Sequence, residues 1–216
     1  MMAGYKIIYS GGTGEITEKK SHFIANVFPV ATEEEVPGII EQTRKKYWDA
    51  KHNCYAYIIG TNPGISKCSD DGEPQGTAGR PILDVLSGAG ICNALIIVTR
   101  YFGGTLLGTG GLIRAYSEAA KAGLNVSRIV TKEAGKRVII ETDYNSIGKL
   151  QYITSQMDLA VINTKYTDKA RIELAVPLNS VDGLINKVTE ATSGQAKINA
   201  ESDIYFAVID KEVVIF

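Results

Sequence analysis

A glycine-rich segment flanked by Arg100 and Arg114 has the residue types of an anion-binding turn. Its five glycines are Gly103, Gly104, Gly108, Gly110 and Gly111. Glycines at a strand-to-helix turn permit positive φ angles and let a ligand approach the backbone closely, and the free amides at a helix start favour an anion. A guanidinium can bind a phosphate or carboxylate through two parallel hydrogen bonds. The segment therefore predicts an anion-binding site, with a tight turn and close helix packing as the alternative.

The spacing of these glycines differs from that of the common nucleotide-binding loops. Gly103 and Gly108 have the glycine spacing of a Walker A loop, but Thr109 and Gly110 occupy the positions that require Lys and Ser or Thr. The GxGxxG fingerprint of dinucleotide-binding folds is absent as well. The sequence therefore predicts no nucleotide cofactor, nor any other cofactor.

A second candidate site is the acidic loop that contains Asp70, Asp71 and Glu73, together with the small residues that follow. Those small residues are Gly76, Thr77 and Gly79. Three carboxylates so close together could hold Mg²⁺ or Ca²⁺ through oxygen ligands, but their spacing is not that of an EF-hand. Because Glu73-Pro74 is typical of a turn, a turn capped by Asp70 or Asp71 is the favoured interpretation, and no metal site is predicted.

Three further side chains could contact an anion or a nucleic acid, because they lie near these two segments in the sequence. They are Lys51, His52 and Arg80. A histidine beside a predicted strand is more often a hydrogen-bonded structural residue than a catalyst. The GxSxG and HExxH motifs and cysteine-rich zinc patterns are absent, so no catalytic residue is predicted.

The composition is that of a globular protein without a strong overall charge. The 216 residues are 44% hydrophobic and 22% charged, and 23 basic residues face 24 acidic ones. A polyanionic partner would therefore need a local basic patch. Three cysteines without a CxxC pair suit a reducing compartment, and Cys54 and Cys92 are predicted core residues. No apolar run reaches the roughly 20 residues of a membrane span and the N-terminus lacks a signal-peptide core, so we expect a cytoplasmic protein without membrane contact.

In the first half of the chain, apolar patterns predict three strands and three helices that position the candidate segments. The strands are near residues 21–30, 54–60 and 93–99, and the helices are near residues 32–47, from 81 and near 112–123. The strand at 93–99 is apolar throughout, as expected for a strand covered on both faces, and it leads directly into the glycine-rich segment. Pro37 conflicts with a helix start as early as Thr32, so the first helix is expected to begin nearer Pro37 or to kink there.

The second half has a regular pattern of elements. Strands are predicted near residues 137–141, 160–166, 170–176, 204–209 and 213–216, and helices near 144–157 and 180–192. The first six elements give the order β-α-β-β-α-β, which is the split-βαβ or ferredoxin-like order. The polar segment 131–136 is a predicted linker. The chain is therefore expected to be an α+β protein with domains at residues 1–132 and 133–216.

Three motifs in this order resemble the signature of the YigZ/IMPACT family. They are His-Asn-Cys-Tyr-Ala-Tyr at residues 52–57, Asp-Gly-Glu-Pro-Gln-Gly-Thr-Ala-Gly at 71–79, and the arginine- and glycine-rich segment at 100–116. The resemblance covers residues 21–123, and the second half of the chain resembles the small C-terminal domain of the bacterial members.

The resemblance implies a fold for each domain and a field of function. The N-terminal domain is expected to be similar to the fold shared by a small-subunit ribosomal protein domain and RNase PH. The C-terminal domain is expected to be ferredoxin-like and similar to the C-terminal domain of elongation factor G. Eukaryotic members act in translational control through a stress kinase, but they use an additional N-terminal domain that this chain has no room for. What transfers is an association with RNA, the ribosome or other translation machinery.

Three hypotheses about function follow from these observations. The first is a non-enzymatic binding protein that associates with nucleic acid or the ribosome and regulates translation. The second is an enzyme that acts on a small phosphorylated or carboxylated ligand at the glycine-rich segment, with Asp71 or Glu73 as the acid/base or metal ligand. The third assigns to the C-terminal domain a protein partner, which would dock on an exposed apolar patch.

Overall fold

The chain forms two compact units. The computed structural model describes residues 4–61 and 64–216. The N-terminal unit comprises residues 5–130, and the C-terminal unit is built mainly from residues 131–216. No helix in these two described ranges is long and apolar enough to cross a membrane.

A five-stranded antiparallel sheet is the frame of the N-terminal unit. In chain order its elements are β1 (Tyr5–Ser10), β2 (Thr13–Glu18), β3 (Ser21–Pro29), α1 (Glu35–Lys46), β4 (His52–Ile59), β5 (Ile65–Ser69), α2 (Gly79–Ala89), β6 (Ile91–Cys92), β7 (Ala94–Tyr101) and α3 (Gly108–Asn125). The spatial order of the sheet is β2-β3-β7-β4-β5, and all neighbours are antiparallel. Outside this sheet, β1 pairs with β6 in parallel.

The central strand β7 is covered on both faces, as its apolar sequence predicts. Ile96 and Val98 belong to the core cluster under α2 and α3, whereas Leu95 and Ile97 belong to the cluster under α1. Successive side chains of a strand point to opposite faces, so an uninterrupted apolar run is what a strand between two helical layers requires. The end of this strand carries Arg100, and the glycine-rich segment continues from it.

Both α1 and α2 contain a proline in their first turn. Pro37 is the third residue of α1, which begins at Glu35, and Pro81 is the third residue of α2, which begins at Gly79. The amides of the first helical turn have no intrahelical acceptor, so a residue without an amide hydrogen costs no hydrogen bond there. The first helix therefore begins near Pro37, as predicted, and Thr32 lies outside it.

The C-terminal unit has the predicted β-α-β-β-α-β order followed by one more strand. Its elements are β8 (Arg128–Thr142), α4 (Ile147–Gln156), β9 (Ala160–Tyr166), β10 (Ala170–Pro177), a 3₁₀ turn (Leu178–Ser180), α5 (Val181–Ala191), β11 (Lys197–Ile209) and β12 (Glu212–Ile215). The antiparallel strand order within this unit is β9-β10-β8-β11-β12. Both helices contribute to one core, in which Leu150 and Leu184 pack with Ile140 and Leu174 of the sheet.

The linker prediction for residues 131–136 is wrong, because these residues lie within β8. Ala134 and Gly135 are paired with Tyr205 and Ile204 of β11. A Cβ atom added to Gly135 would lie 2.5 Å from the carbonyl oxygen of Val176. The glycine therefore lets the backbone of β10 approach β8 closely, and its role is not to make the segment flexible. The segment has no apolar alternation that would indicate a strand, and its polar composition is that of a linker.

Candidate functional site

The acidic loop folds around the carboxylate of Asp70. One oxygen, Oδ1, accepts hydrogen bonds from the amides of Ala78 (3.0 Å) and Gly79 (2.9 Å), and Oδ2 accepts one from the amide of Gly76 (2.8 Å). These amides precede or begin α2, so the carboxylate satisfies donors that the helix itself leaves unpaired. The interpretation of the loop as a turn capped by an aspartate is confirmed for Asp70.

The same amides set the ionisation of this carboxyl group. Burial raises the pKa of Asp70, but hydrogen bonds from the amides of Gly76, Gly79 and Ala78 lower it by more, and the net pKa is below its ordinary value. Hydrogen bonds to the charged form favour that form. Asp70 is therefore an ionised structural residue at neutral pH.

Replacing Asp70 with asparagine is expected to lower the free energy of unfolding by about 1–2 kcal/mol at neutral pH, because an amide nitrogen cannot accept these hydrogen bonds. The lowered folded-state pKa contributes stability above the unfolded-state pKa of about 3.9, and this contribution is lost as the pH falls through the folded-state pKa. Urea unfolding at several pH values should show a constant wild-type advantage above about pH 5 that shrinks below about pH 4. An advantage that persists unchanged in acid would contradict this assignment.

Asp71 joins the loop to α1 and β4. Its Oδ1 pairs with Nη2 of Arg44 at 2.5 Å, and its Oδ2 accepts a hydrogen bond from the amide of Asn53 at 2.6 Å. The backbone carbonyl of Asp71 lies 2.9 Å from Nδ1 of His52. A carbonyl oxygen can only accept, so Nδ1 carries the proton and Nε2 of the neutral ring is left as an acceptor. The loop thus fixes both the position and the tautomer of His52.

Glu73 connects the acidic loop to the end of β7 and to α3. Its Oε1 accepts hydrogen bonds from Nη1 of Arg100 and from the hydroxyl of Tyr116, each at 2.7 Å. The side chains of Arg100 and Glu73 are only 7% and 4% exposed. The guanidinium also lies 5.4 Å from the ring centroid of Phe23 and 5.6 Å from that of Phe102. The two candidate segments of the sequence therefore meet through a buried ion pair.

Sequence reasoning missed Ser21 and Tyr116, which complete this connection. The buried hydroxyl of Ser21 accepts from the amide of Gly103 at 3.1 Å and lies 3.4 Å from Nη2 of Arg100. Tyr116 stands in the third motif of the family signature, which is the one feature of the sequence that could have identified it. A serine at a strand start carries no comparable pattern.

Cys54 lies behind this ion pair and is a core residue, as predicted. Its thiol donates to the carbonyl of Asp70 at 2.9 Å, and Sγ lies 3.3 Å from the hydroxyl of Tyr116. Burial raises the pKa of the Cys54 thiol and of the Tyr116 phenol far above their ordinary values. Since the thiolate is the nucleophilic form, Cys54 is an unreactive packing residue at neutral pH.

The structure requires glycine at some positions of the segment, and the reason differs from one position to the next. A Cβ atom at Gly103 would overlap the backbone of Lys20, whereas Gly104 and Gly108 have φ angles of +83° and +70°. A Cβ atom at Gly110 would meet nothing within 4 Å, and one at Gly111 would meet only the side chain of Leu107. Packing and turn geometry therefore account for three of the five glycines, but they do not require a glycine at position 110.

Three of the candidate residues line one cavity of about 550 Å³, which lies at the start of β4 and the end of β7. They are Lys51, His52 and Arg100, and the other lining residues are Asp49, Tyr101, Phe102 and Leu106. Arg80 lies elsewhere, in an exposed ion pair with Asp84 on α2. Arg114 is exposed on α3 and is not among the residues that line the cavity. The role of all these residues in binding stays a prediction.

The chain matches two domain families along most of its length. Residues 19–124 match the Impact N-terminal domain, and residues 140–195 match a domain of unknown function, DUF1949. A crystal structure of a hypothetical protein is similar to this chain, with a TM-score of 0.59 and 29% identity over 94% of this chain and 99% of that one.

Curated relatives from bacteria align over nearly their whole length. The IMPACT family member YvyE of Bacillus subtilis (strain 168) is 36% identical over 198 residues, which cover 92% of this chain and 91% of the relative. The IMPACT family member YigZ of Escherichia coli (strain K12) is 31% identical over 184 residues, covering 84% and 90%. Protein IMPACT of Mus musculus is 36% identical over 98 residues, which cover 43% of this chain but only 30% of the mouse protein. The match to both domains, and to bacterial relatives from end to end, shows that the chain belongs to the IMPACT family.

Proposed function

We propose that the protein is a non-enzymatic binding protein that associates with nucleic acid or the ribosome and acts in the regulation of translation. The observation that carries the proposal is that all three carboxylates of the acidic loop are used internally. Asp70 is bound by backbone amides, Asp71 by Arg44, and Glu73 by Arg100 and Tyr116. A general acid or base must be able to exchange a proton with a substrate. These groups instead hold two loops in a fixed geometry, as a binding surface requires.

Cationic groups beside the glycine-rich segment give the second argument for this proposal. Lys19 and Lys20 form the turn between β2 and β3, in which the backbone of Lys20 packs against Gly103, and Lys51 is exposed at the cavity. None of these three lysines forms an ion pair with any residue in the described part of the chain. A protein without net positive charge needs such a local patch to bind a polyanion. Membership of the IMPACT family agrees with a role in translation.

The proposal also specifies the fold type of each unit, the domain boundary and the partners. We assign the N-terminal unit to the ribosomal-protein/RNase PH type of fold and the C-terminal unit to the type of the elongation factor G C-terminal domain, with the boundary after residue 132. The protein would act in the cytoplasm. A protein partner would bind the C-terminal unit, where the stacked rings of Tyr144 and Tyr166 are half exposed.

Co-sedimentation with ribosomes from a cell extract, with and without ribonuclease, tests the proposal. We expect association that is lost after ribonuclease treatment or that weakens steeply as the salt concentration rises, because phosphate contacts release counterions. A protein that stays in the supernatant at low salt and also fails to bind RNA would refute the proposal.

The variant Gly110→Ala separates binding from folding. Because a Cβ atom at this position meets nothing within 4 Å, stability should be unchanged or higher by up to about 1 kcal/mol. The added methyl group would keep a phosphate away from the first-turn amides of α3, so RNA or ribosome association should weaken about two- to tenfold, the value of one hydrogen bond. Binding curves and thermal unfolding of the same preparation measure the two effects. Unchanged binding would remove the start of α3 from the site.

A further inference from the structure

In the wall of the cavity at the start of β4 and the end of β7 lies a buried donor without an acceptor. Arg100 uses Nη1 for Glu73 and Nη2 for Ser21, but its Nε has no hydrogen-bond partner among the described residues. An unsatisfied buried donor is costly and uncommon in native proteins. Phe102 lies against the same guanidinium at 5.6 Å and lines the cavity with it. Because Nε has almost no accessible surface, the guanidinium supports the ring of Phe102 from inside the cavity wall and is not itself reached by a ligand.

The lining also offers one acceptor of fixed orientation. His52 donates from Nδ1 to the carbonyl of Asp71 at 2.9 Å, so Nε2 is the acceptor of the neutral ring. Gly72 lies over this ring, since a Cβ atom there would come within 3.3 Å of Nδ1. The carbonyl of Asp71 and the backbone of Gly72 thus hold the ring at its Nδ1 edge, and His52 lines the cavity together with the cation of Lys51.

The charges of the lining argue against a ligand with several negative charges. Lys51 is exposed and unpaired in the described part of the chain, whereas the charge of Arg100 is already balanced by Glu73. Asp49 is the one carboxylate among the lining residues, and it accepts a hydrogen bond from the hydroxyl of Tyr101 at 2.8 Å. Lys51 and Asp49 together leave the lining without net charge, so a nucleoside triphosphate or a phosphate dianion would find no surplus of cations there, whereas the single charge of one phosphodiester group can pair directly with Lys51.

An aromatic surface completes the arrangement. The ring of Phe102 is 56% exposed and Leu106 is 84% exposed, and both line the cavity. Exposed aromatic rings beside cationic groups are the elements with which proteins stack single-stranded bases while holding the backbone. A double helix offers no unstacked base for such a ring.

We propose that this cavity binds one nucleotide of a single-stranded RNA. The base stacks on Phe102, the phosphodiester contacts Lys51, and Nε2 of His52 accepts a hydrogen bond from the ribose 2′-hydroxyl. The last contact distinguishes RNA from DNA. This inference rests on the proposed function and adds to it the strand type and the residues that recognise it.

Fluorescence anisotropy with the full chain and a labelled uridine oligonucleotide of about 12 residues tests the inference. The matched probes are the same sequence as deoxyribonucleotides and the same RNA paired with its complement. We expect the single-stranded RNA to bind best, and Phe102→Ala to weaken its binding about tenfold. Lys51→Ala should weaken binding and reduce the salt slope by about one. The variant Tyr152→Ala, which removes a 66% exposed ring from α4 of the C-terminal unit, should bind as the wild type does.

Asparagine at position 52 isolates the 2′-hydroxyl contact. Its side-chain amide can still donate to the carbonyl of Asp71 but lacks the acceptor at the position of Nε2, so His52→Asn should reduce the preference for RNA over DNA several-fold at unchanged melting temperature. If RNA or ribosome association is observed but none of the cavity variants affects it, the cavity is not the site, although the proposed function stands. If no association is found with either RNA or ribosomes, both proposals fail. Equal binding of RNA and DNA by the wild type would overturn the role of His52.

Discussion

Replacing Glu73 with alanine is expected to lower the free energy of unfolding by about 3–5 kcal/mol, because it leaves the guanidinium of Arg100 buried without its counter-charge. The two side chains are 7% and 4% exposed, so water cannot replace the lost partner. The hydroxyl of Tyr116 loses its acceptor as well. For a chain of this length, the expected fall in melting temperature is about 6–20 °C. Differential scanning calorimetry of the variant and the wild type measures it.

Two further variants test the cause of this loss. Asp84→Ala removes the partner of Arg80 in an exposed ion pair, and we expect it to cost less than about 1 kcal/mol. Combining Glu73→Ala with Arg100→Met removes both buried charges, so the double variant should be more stable than Glu73→Ala alone. A single variant that unfolds at the wild-type temperature, or a double variant less stable than the single one, would show that the pair is not a buried ion pair in solution.

Gly103→Ala is expected to destabilise the protein by about 3 kcal/mol or more, since its Cβ atom would lie 2.0 Å from the carbonyl carbon of Lys20. The clash is with backbone, which cannot turn away as a flexible side chain can. The movement would also break the hydrogen bond from the amide of Gly103 to Ser21. Urea unfolding compares it with Gly110→Ala, the variant at an open position of the same segment. If the two alanines have equal effects, the close packing of Gly103 against the β2–β3 turn is not a feature of the protein in solution.

The elements with strong apolar patterns could be predicted from the sequence. The central strand β7 is apolar from Ala94 to Val98, and the β-α-β-β-α-β order of the second half follows from the alternation of short strands and helical periods. The strands β2 and β5 were not predicted, because each lies at an edge of the sheet and is largely exposed. An edge strand needs few apolar residues, so its sequence resembles that of a loop.

The candidate site was predicted in its parts but not in its connections. Arg100 and Glu73 were both singled out, yet each was expected to face a ligand or solvent. Their pairing joins residues that are 27 positions apart, and no local pattern encodes such a contact. The same holds for Ser21, whose partner Gly103 is 82 residues away. The glycine-rich segment suggested close approach of a ligand, whereas Gly103 is there for close approach of the chain itself.

The hydroxyl of Ser21 also bears on the order in which the N-terminal unit folds. Ser21 is the first residue of β3 and precedes His22, which pairs with Tyr101 of β7, and its side chain holds the amide of Gly103. The glycine-rich segment can therefore take its observed geometry only after β3 and β7 have come together, and the closing of so long a loop is slow and entropically costly. During synthesis on the ribosome, a chain that has not yet reached β7 lacks both the hydrogen bond from Gly103 to Ser21 and the completed cavity. The cavity is thus completed late in the folding of this unit, when its central strand is already in place.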